Sequence, residues 1–149
     1  IDLALLFAAC LELIDIYPVV FLLHGHALPG YWRHQSFHTA YSQARLDNPG
    51  PASAQAQDRH VSSEAQVHAW QDLGAEAYKE VASLIRSRRL VPVETVRLTE
   101  HCGFVEAIES GVQALGAARD FHSVLDIATA RIKRITPLPI AAEPPWGAP

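Results

Sequence analysis

An apolar run at 19–23 lies between Pro18 and a His-Gly pair. Five consecutive apolar residues, two of them β-branched, predict a short strand that is buried on both faces. Segments 91–98 and 121–127 are also predicted as strands, the first because of its β-branched content. The pattern therefore predicts three strands, at 18–23, 91–98 and 121–127.

Apolar residues at helical spacing separate these strands. In 1–16, Leu3, Leu6, Cys10 and Leu13 recur at that spacing and favour a helix, although the apolar density leaves a strand open for part of the segment. Further helices are predicted at 32–46, 63–89 and 104–115. Because these helical connections are long enough for right-handed crossovers, we expect the three strands to be parallel neighbours with helices on both faces.

Composition narrows the class of protein. The 149 residues are 49% hydrophobic and 19% charged, which is typical of one globular domain, predicted at 1–135, with a Pro-rich tail at 136–149. A net charge of -4 gives no reason to expect a nucleic-acid partner. Glu12, Asp15 and Pro18 interrupt the first apolar run, so no membrane span is predicted. No cellular location follows from the sequence.

The metal-ligating residue types form no convincing site. Cys10 and Cys102 are far apart and make neither a disulfide framework nor a zinc signature. His34 and His38 are spaced i,i+4, with two more histidines nearby, but no carboxylate or cysteine accompanies them at ligand spacing. The pair is interpreted as a solvated helix face, and we predict neither a metal nor a cofactor.

Several local motifs occur in a familiar order. An apolar strand ends at His24-Gly25, Trp-Arg-x-Gln follows at 32–35, and Asp47, Pro-Gly and Ser53 form a loop. Around Cys102 the predicted order is strand, tight corner, helix, which is the context of a nucleophile elbow. From Pro18 to about residue 130 the chain thus resembles the first half of an α/β hydrolase. The resemblance implies an α/β fold with a truncated parallel sheet flanked by helices.

The resemblance also implies a catalytic site. Cys102 would be the nucleophile, assisted by His101, and the backbone N–H groups of His26 and Gly103 would form the oxyanion hole, with Gly25 in the same segment. Two features depart from the family. Glu100 and Phe104 occupy positions near the nucleophile where the family has glycine, and no histidine follows His122 to act as general base. Asp126 is interpreted as a sheet residue without a partner.

Two classes of function remain open at this stage. The first is a hydrolase of esters or related carbonyl compounds, with a small-molecule substrate and a Cys102 nucleophile. The second is a non-catalytic, hydrolase-like fragment or binding subunit. In both cases a truncated sheet leaves an unpaired edge near 121–127, so we expect a homo-oligomer or a partner chain at that edge.

Overall fold

A five-stranded antiparallel sheet with helices on both faces forms the described part of the protein. The computed structural model describes residues 2–47, 71–116 and 118–132. The helices are α1 (Asp2–Glu12), α2 (Gln35–Asp47), α3 (Gly74–Arg86), α4 (Thr95–Thr99), α5 (Phe104–Ala114) and α6 (Ile127–Ile132), with a 3-10 turn at Ala118–Asp120. The strands are β1 (Pro18–Leu23), β2 (His26–Trp32), β3 (Gln71–Leu73), β4 (Leu90–Pro92) and β5 (Phe121–Asp126).

The direction of the strands corrects the predicted fold class. The sheet order is β3-β5-β1-β2-β4, and all four pairings are antiparallel, whereas a hydrolase-like sheet is parallel. The His24-Gly25 pair explains why the strand after β1 runs antiparallel to it. It forms a two-residue hairpin turn in which Gly25 has φ +75°, so the chain returns at once as β2 instead of entering a crossover helix.

The predicted edge strand is also wrong. β5 lies inside the sheet, paired with β3 on one side and β1 on the other, and the edges are the three-residue strands β3 and β4. Such short edges limit the number of unpaired backbone groups that another chain can reach.

Two predicted elements change identity. Segment 91–98 is not one strand, because β4 ends at Pro92 and the Glu94 side chain then accepts a hydrogen bond from the Val96 N–H, which starts α4. Within the predicted helix 63–89, residues 71–73 are β3 and the described helix is α3. The strands β1 and β5 and the helices α1, α2 and α5 are confirmed at or near their predicted bounds.

The two faces of the sheet carry separate apolar clusters. Phe21 and Leu28, both fully buried, pack with Val81 of α3 on one face. Val20 packs with Ala4 and Ala8 of α1 and Ile127 of α6 on the other. Alternate residues of β1 therefore serve opposite clusters, which explains its uninterrupted apolar sequence.

Three helices end in the same way. Asp15, Arg88 and His101 have φ values of 57°, 56° and 62°, and each follows a helix as its first left-handed residue. After α4, the His101 N–H donates to the Leu98 carbonyl and the Cys102 N–H donates to the Arg97 carbonyl. The same pair of bonds follows α1 and α3, so all three helices end in Schellman motifs without glycine.

Some predictions lie outside the described residues. These are the Pro-Gly-Ser part of the loop after Asp47, the first part of the helix at 63–89, and the Pro-rich tail at 136–149. Among the helices of residues 2–47, 71–116 and 118–132, none has both the length and the apolar character needed to cross a bilayer.

Candidate functional site

The predicted nucleophile lies between two helices. Cys102 is half-buried in the corner from α4 to α5, whereas an elbow joins a strand to a helix. The left-handed residue of this corner is His101, which ends α4. The tight turn that the sequence indicates is therefore real, but it is a helix stop followed by a new helix start.

The residues predicted to act with Cys102 have other partners. The Gly103 N–H donates to the Glu106 carboxylate at 2.9 Å, which starts α5. His26 begins β2, beside the Gly25 turn, and its Nε2 lies 2.7 Å from Glu94 Oε2. Among the described residues, no hydrogen bond joins the Cys102 thiol to either histidine of the predicted site. The structure thus does not connect the predicted site residues by hydrogen bonds.

A different polar cluster lies on the α2 face of the sheet. His38 of α2 and Asp126 at the end of β5 are both buried, with His38 Nε2 3.2 Å from Asp126 Oδ1. Tyr17 stacks on the imidazole at a centroid distance of 4.5 Å, and Trp32 meets it edge-on at 6.0 Å. This His38–Asp126 cluster joins residues from β2, α2, β5 and the loop before β1.

Every described partner of Asp126 stabilises its charge. Oδ2 accepts a hydrogen bond from Trp32 Nε1 at 3.0 Å, and Oδ1 accepts one from the Thr129 N–H at 2.8 Å, which caps α6. Burial alone would raise the pKa of Asp126. The hydrogen bonds from His38, Thr129 and Trp32, together with the charge of His38, outweigh burial and lower the pKa below its ordinary value.

The cluster lacks the geometry of a hydrolytic triad. Ser42 Oγ lies 3.3 Å from His38 Nε2, the same ring nitrogen that faces Asp126. In a Ser-His-Asp triad the acid and the hydroxyl use opposite ring nitrogens, so that the imidazole can relay a proton between them. Here, when Nε2 carries the proton that bonds the Asp126 carboxylate, the same nitrogen cannot accept a proton from the Ser42 hydroxyl. We interpret the cluster as a structural network.

A shallow cleft lies beside this cluster. It has a volume of about 450 Å³ and is lined by Asp15–Tyr17 and Trp32–Gln35. Of its lining residues, Trp32 is buried and Tyr17 half-buried, while Asp15 and Arg33 are exposed. Ligand pockets usually combine an apolar enclosure with converging polar groups. Among the residues that line this cleft, no buried polar side chain converges on the interior, so it lacks the polar groups of a typical ligand pocket.

The most unusual surface is on α1. Its inner face packs on the sheet through Ala4, Ala8 and Leu11. The opposite side, which we call the outer face of α1, is also apolar and exposed. It consists of Leu3, Leu6, Cys10 and Leu13.

Charge is scarce on this helix. Its charged residues are Asp2 and Glu12, and Glu12 is paired with Arg131 of α6 at 3.1 Å. Asp2 is exposed at the start of the helix, so the outer face from Leu3 to Leu13 carries no further charged side chain.

No family model, curated protein or solved structure matches this chain. In the part of the chain that the structure describes, no three His, Cys, Asp or Glu side chains are grouped so that they could hold a metal ion.

Proposed function

We propose that this chain is a non-catalytic interaction module that binds a partner protein through the outer face of α1. One observation carries the proposal: α1 is apolar on both sides, and Leu6 and Leu13 are 62% and 85% exposed. A helix that is apolar all round is normally buried on all sides. Contiguous exposed apolar patches on soluble domains usually mark interaction sites.

The charge of α1 favours a protein over a lipid surface. Helices that lie on membranes usually combine an apolar face with a polar face rich in Lys and Arg, which contacts anionic lipids. The charged residues of α1 are the acidic Asp2 and Glu12. Anionic lipid would repel both, whereas an apolar protein surface meets no such cost.

Catalysis through Cys102 has less support than binding through the outer face of α1. A cysteine nucleophile needs a thiolate, which a neighbouring base or cation stabilises. The Cys102 thiol has no hydrogen-bond partner in the described residues, and the Gly103 N–H is already bonded to Glu106. We therefore expect no hydrolysis of short activated esters above the buffer rate, and no difference between the parent and Cys102→Ala. Hydrolysis that Cys102→Ala abolishes would restore the hydrolase hypothesis.

Docking on the outer face of α1 can be tested with a generic helical probe. The probe is a labelled synthetic peptide of two heptads with leucine at the a and d positions, and anisotropy measures its binding at low protein concentration. We expect saturable binding to the parent protein, and a loss of binding in Leu6→Asp. Val112→Asp on α5 is the matched control, because Val112 is also apolar and 44% exposed. Equal binding by the parent and Leu6→Asp would refute this function.

A further inference from the structure

The outer face of α1 has the spacing of a helix-pairing seam. Leu3, Leu6, Cys10 and Leu13 follow one another at intervals of three, four and three residues, which is the a and d pattern of a heptad repeat. The Leu13 N–H donates to the Ala9 carbonyl at 3.2 Å, so the helical geometry continues through the last of these residues. A seam of this kind fits another helix better than it fits a flat surface.

We propose that the helix which covers this seam is α1 of a second copy of the chain, in a symmetric antiparallel pair. The proposal rests on the function proposed above and names the partner of the same site. Partner choice in paired helices is usually set by charges beside the seam. Phe7 and Ala9 flank the middle of this seam and Asp2 flanks its start, so the middle carries no charge that selects a different partner or repels an identical copy.

Orientation follows from the helix dipoles. Two helices side by side are stabilised when their dipoles oppose each other, and a two-fold axis perpendicular to the helices produces that arrangement. With the axis at the level of Ala8, Leu3 faces Leu13 of the other copy and Leu6 faces Cys10. Ala9 is small and lies near this axis, which allows the helices to approach closely.

The available area indicates a weak pair. The outer face of α1, with the adjacent Ile14, exposes on the order of 500 Å² per copy, so a symmetric pair would bury roughly 1,000 Å², the lower end for specific interfaces. Ile14 contributes because its side chain is 64% exposed. The dimer should therefore be sought at high protein concentration.

Sedimentation equilibrium of the full chain up to about 1 mM tests the assembly, because weak interfaces have dissociation constants in the micromolar to millimolar range. We expect a reversible dimer that Leu6→Asp and Leu13→Asp abolish and that Val112→Asp leaves unchanged. Circular dichroism checks that each variant is folded. A monomeric parent, or a dimer that survives Leu6→Asp, would overturn the proposal. A monomer that still binds the leucine peptide would refute only the second copy as partner and leave the proposed function intact.

Disulfide crosslinking tests the orientation. One protein keeps Cys10 alone through Cys102→Ala, and the other carries Leu6→Cys with Cys10→Ser and Cys102→Ala. The antiparallel pair brings position 6 against position 10 of the other copy. A crosslinked dimer should therefore form under mild oxidation only when the two proteins are mixed. Crosslinking of either protein by itself would indicate parallel helices, and no crosslink in any sample would contradict the pairing; both results overturn the proposed arrangement.

Discussion

Asp126 makes two long-range connections and one local one in the described structure. It receives hydrogen bonds from Trp32, from the Thr129 N–H and from the imidazole of His38, residues that belong to three different elements. A buried carboxylate is tolerated only when such bonds replace its lost hydration. The bonds also fix the end of β5 against α2. Asp126 thus both caps α6 and holds the helix layer in place.

Asp126→Asn should lower the free energy of unfolding by about 2 kcal/mol at neutral pH, because the neutral amide loses the ionic part of these bonds and its NH2 group replaces one of the two accepting oxygens with a donor. Urea unfolding measures the change. Asp120→Asn is the matched control: Asp120 lies just before β5, and its ion pair with Arg119 is exposed, so we expect a change below about 0.5 kcal/mol. Equal effects of the two substitutions would contradict the role of Asp126.

The pH dependence of the stability of the parent and of Asp126→Asn gives a second prediction. The pKa of Asp126 is lower in the folded chain than in the unfolded chain, so the unfolded chain binds more protons as the pH falls. The stabilisation by Asp126 is therefore complete above the unfolded value of about 3.9 and is lost as the pH falls through the folded value. Urea unfolding from about pH 5 to pH 2 should show the parent losing its advantage over Asp126→Asn. A constant difference would contradict the lowered pKa.

At the scale of elements, helix ends explain why a helix, and not the predicted strand, precedes the corner at Cys102. A sharp corner followed by a helix has the same local sequence signals whether a strand or a helix precedes it. In this chain Glu94 starts α4 before the corner, and His101 ends it in a left-handed conformation. Because glycine usually marks such a stop, its absence hid the end of the helix. The sequence thus indicates a turn that is present, but the element before it is a helix.

Replacing the left-handed residues tests this account of the helix ends. His101→Gly, Arg88→Gly and Asp15→Gly should each raise the free energy of unfolding by about 0.5–1 kcal/mol, because glycine adopts positive φ without the steric cost of a side chain. The three sites belong to different helices, so their effects should add. Glu100→Gly is the control: Glu100 precedes His101 with φ -88°, so glycine there should destabilise the protein. Stabilisation by Glu100→Gly, or none at the three sites, would contradict the Schellman interpretation.

Neither β2 nor β3 is predicted from the sequence, and β2 shows why. β2 contains Pro29 and Gly30, which normally argue against a strand inside a sheet. The Pro29 carbonyl accepts a bond from the Val93 N–H, so its backbone faces away from β1, and its missing donor does not disturb that pairing. At Gly30 an added Cβ would lie 2.5 Å from the ring of Phe21. Both exceptions depend on neighbours that the local pattern does not contain.

The predictable part of the molecule is the part specified locally. Apolar periodicity located β1, β5, α1, α2 and α5. The His38–Asp126 pair joins residues 88 positions apart, which no spacing rule reveals. The available local signal was Asp126 followed three residues later by Thr129, as in an N-cap, and it indicated a helix start rather than a buried pair. The direction of β2 relative to β1 could not be predicted from apolar periodicity either, because one hairpin turn decides it.

At the scale of the whole molecule, the order of the strands sets which parts open first. β1 lies between β2 and β5, and β5 in turn lies between β1 and β3, so both have hydrogen-bonded neighbours on each side. β4 is a three-residue strand at the edge of the described sheet, where its one described neighbour is β2. Amide groups at an edge exchange through local fraying, whereas those in central strands exchange only when much of the structure opens.

Hydrogen exchange followed by mass spectrometry should therefore show the slowest exchange in peptides from β1 and β5, and faster exchange in peptides from β4. This measurement distinguishes the observed strand order, in which β5 is central, from the order expected from the sequence, in which 121–127 is an unpaired edge strand. Phe21→Ala is the control for global opening, because it removes the ring between the sheet and α3. The substitution should lower the free energy of unfolding by about 3–5 kcal/mol. Exchange should then become faster in β1 and β5 together and change less in β4. If β5 exchanges as fast as β4 in the parent protein, then β5 is an edge strand and the sheet order described above is incorrect.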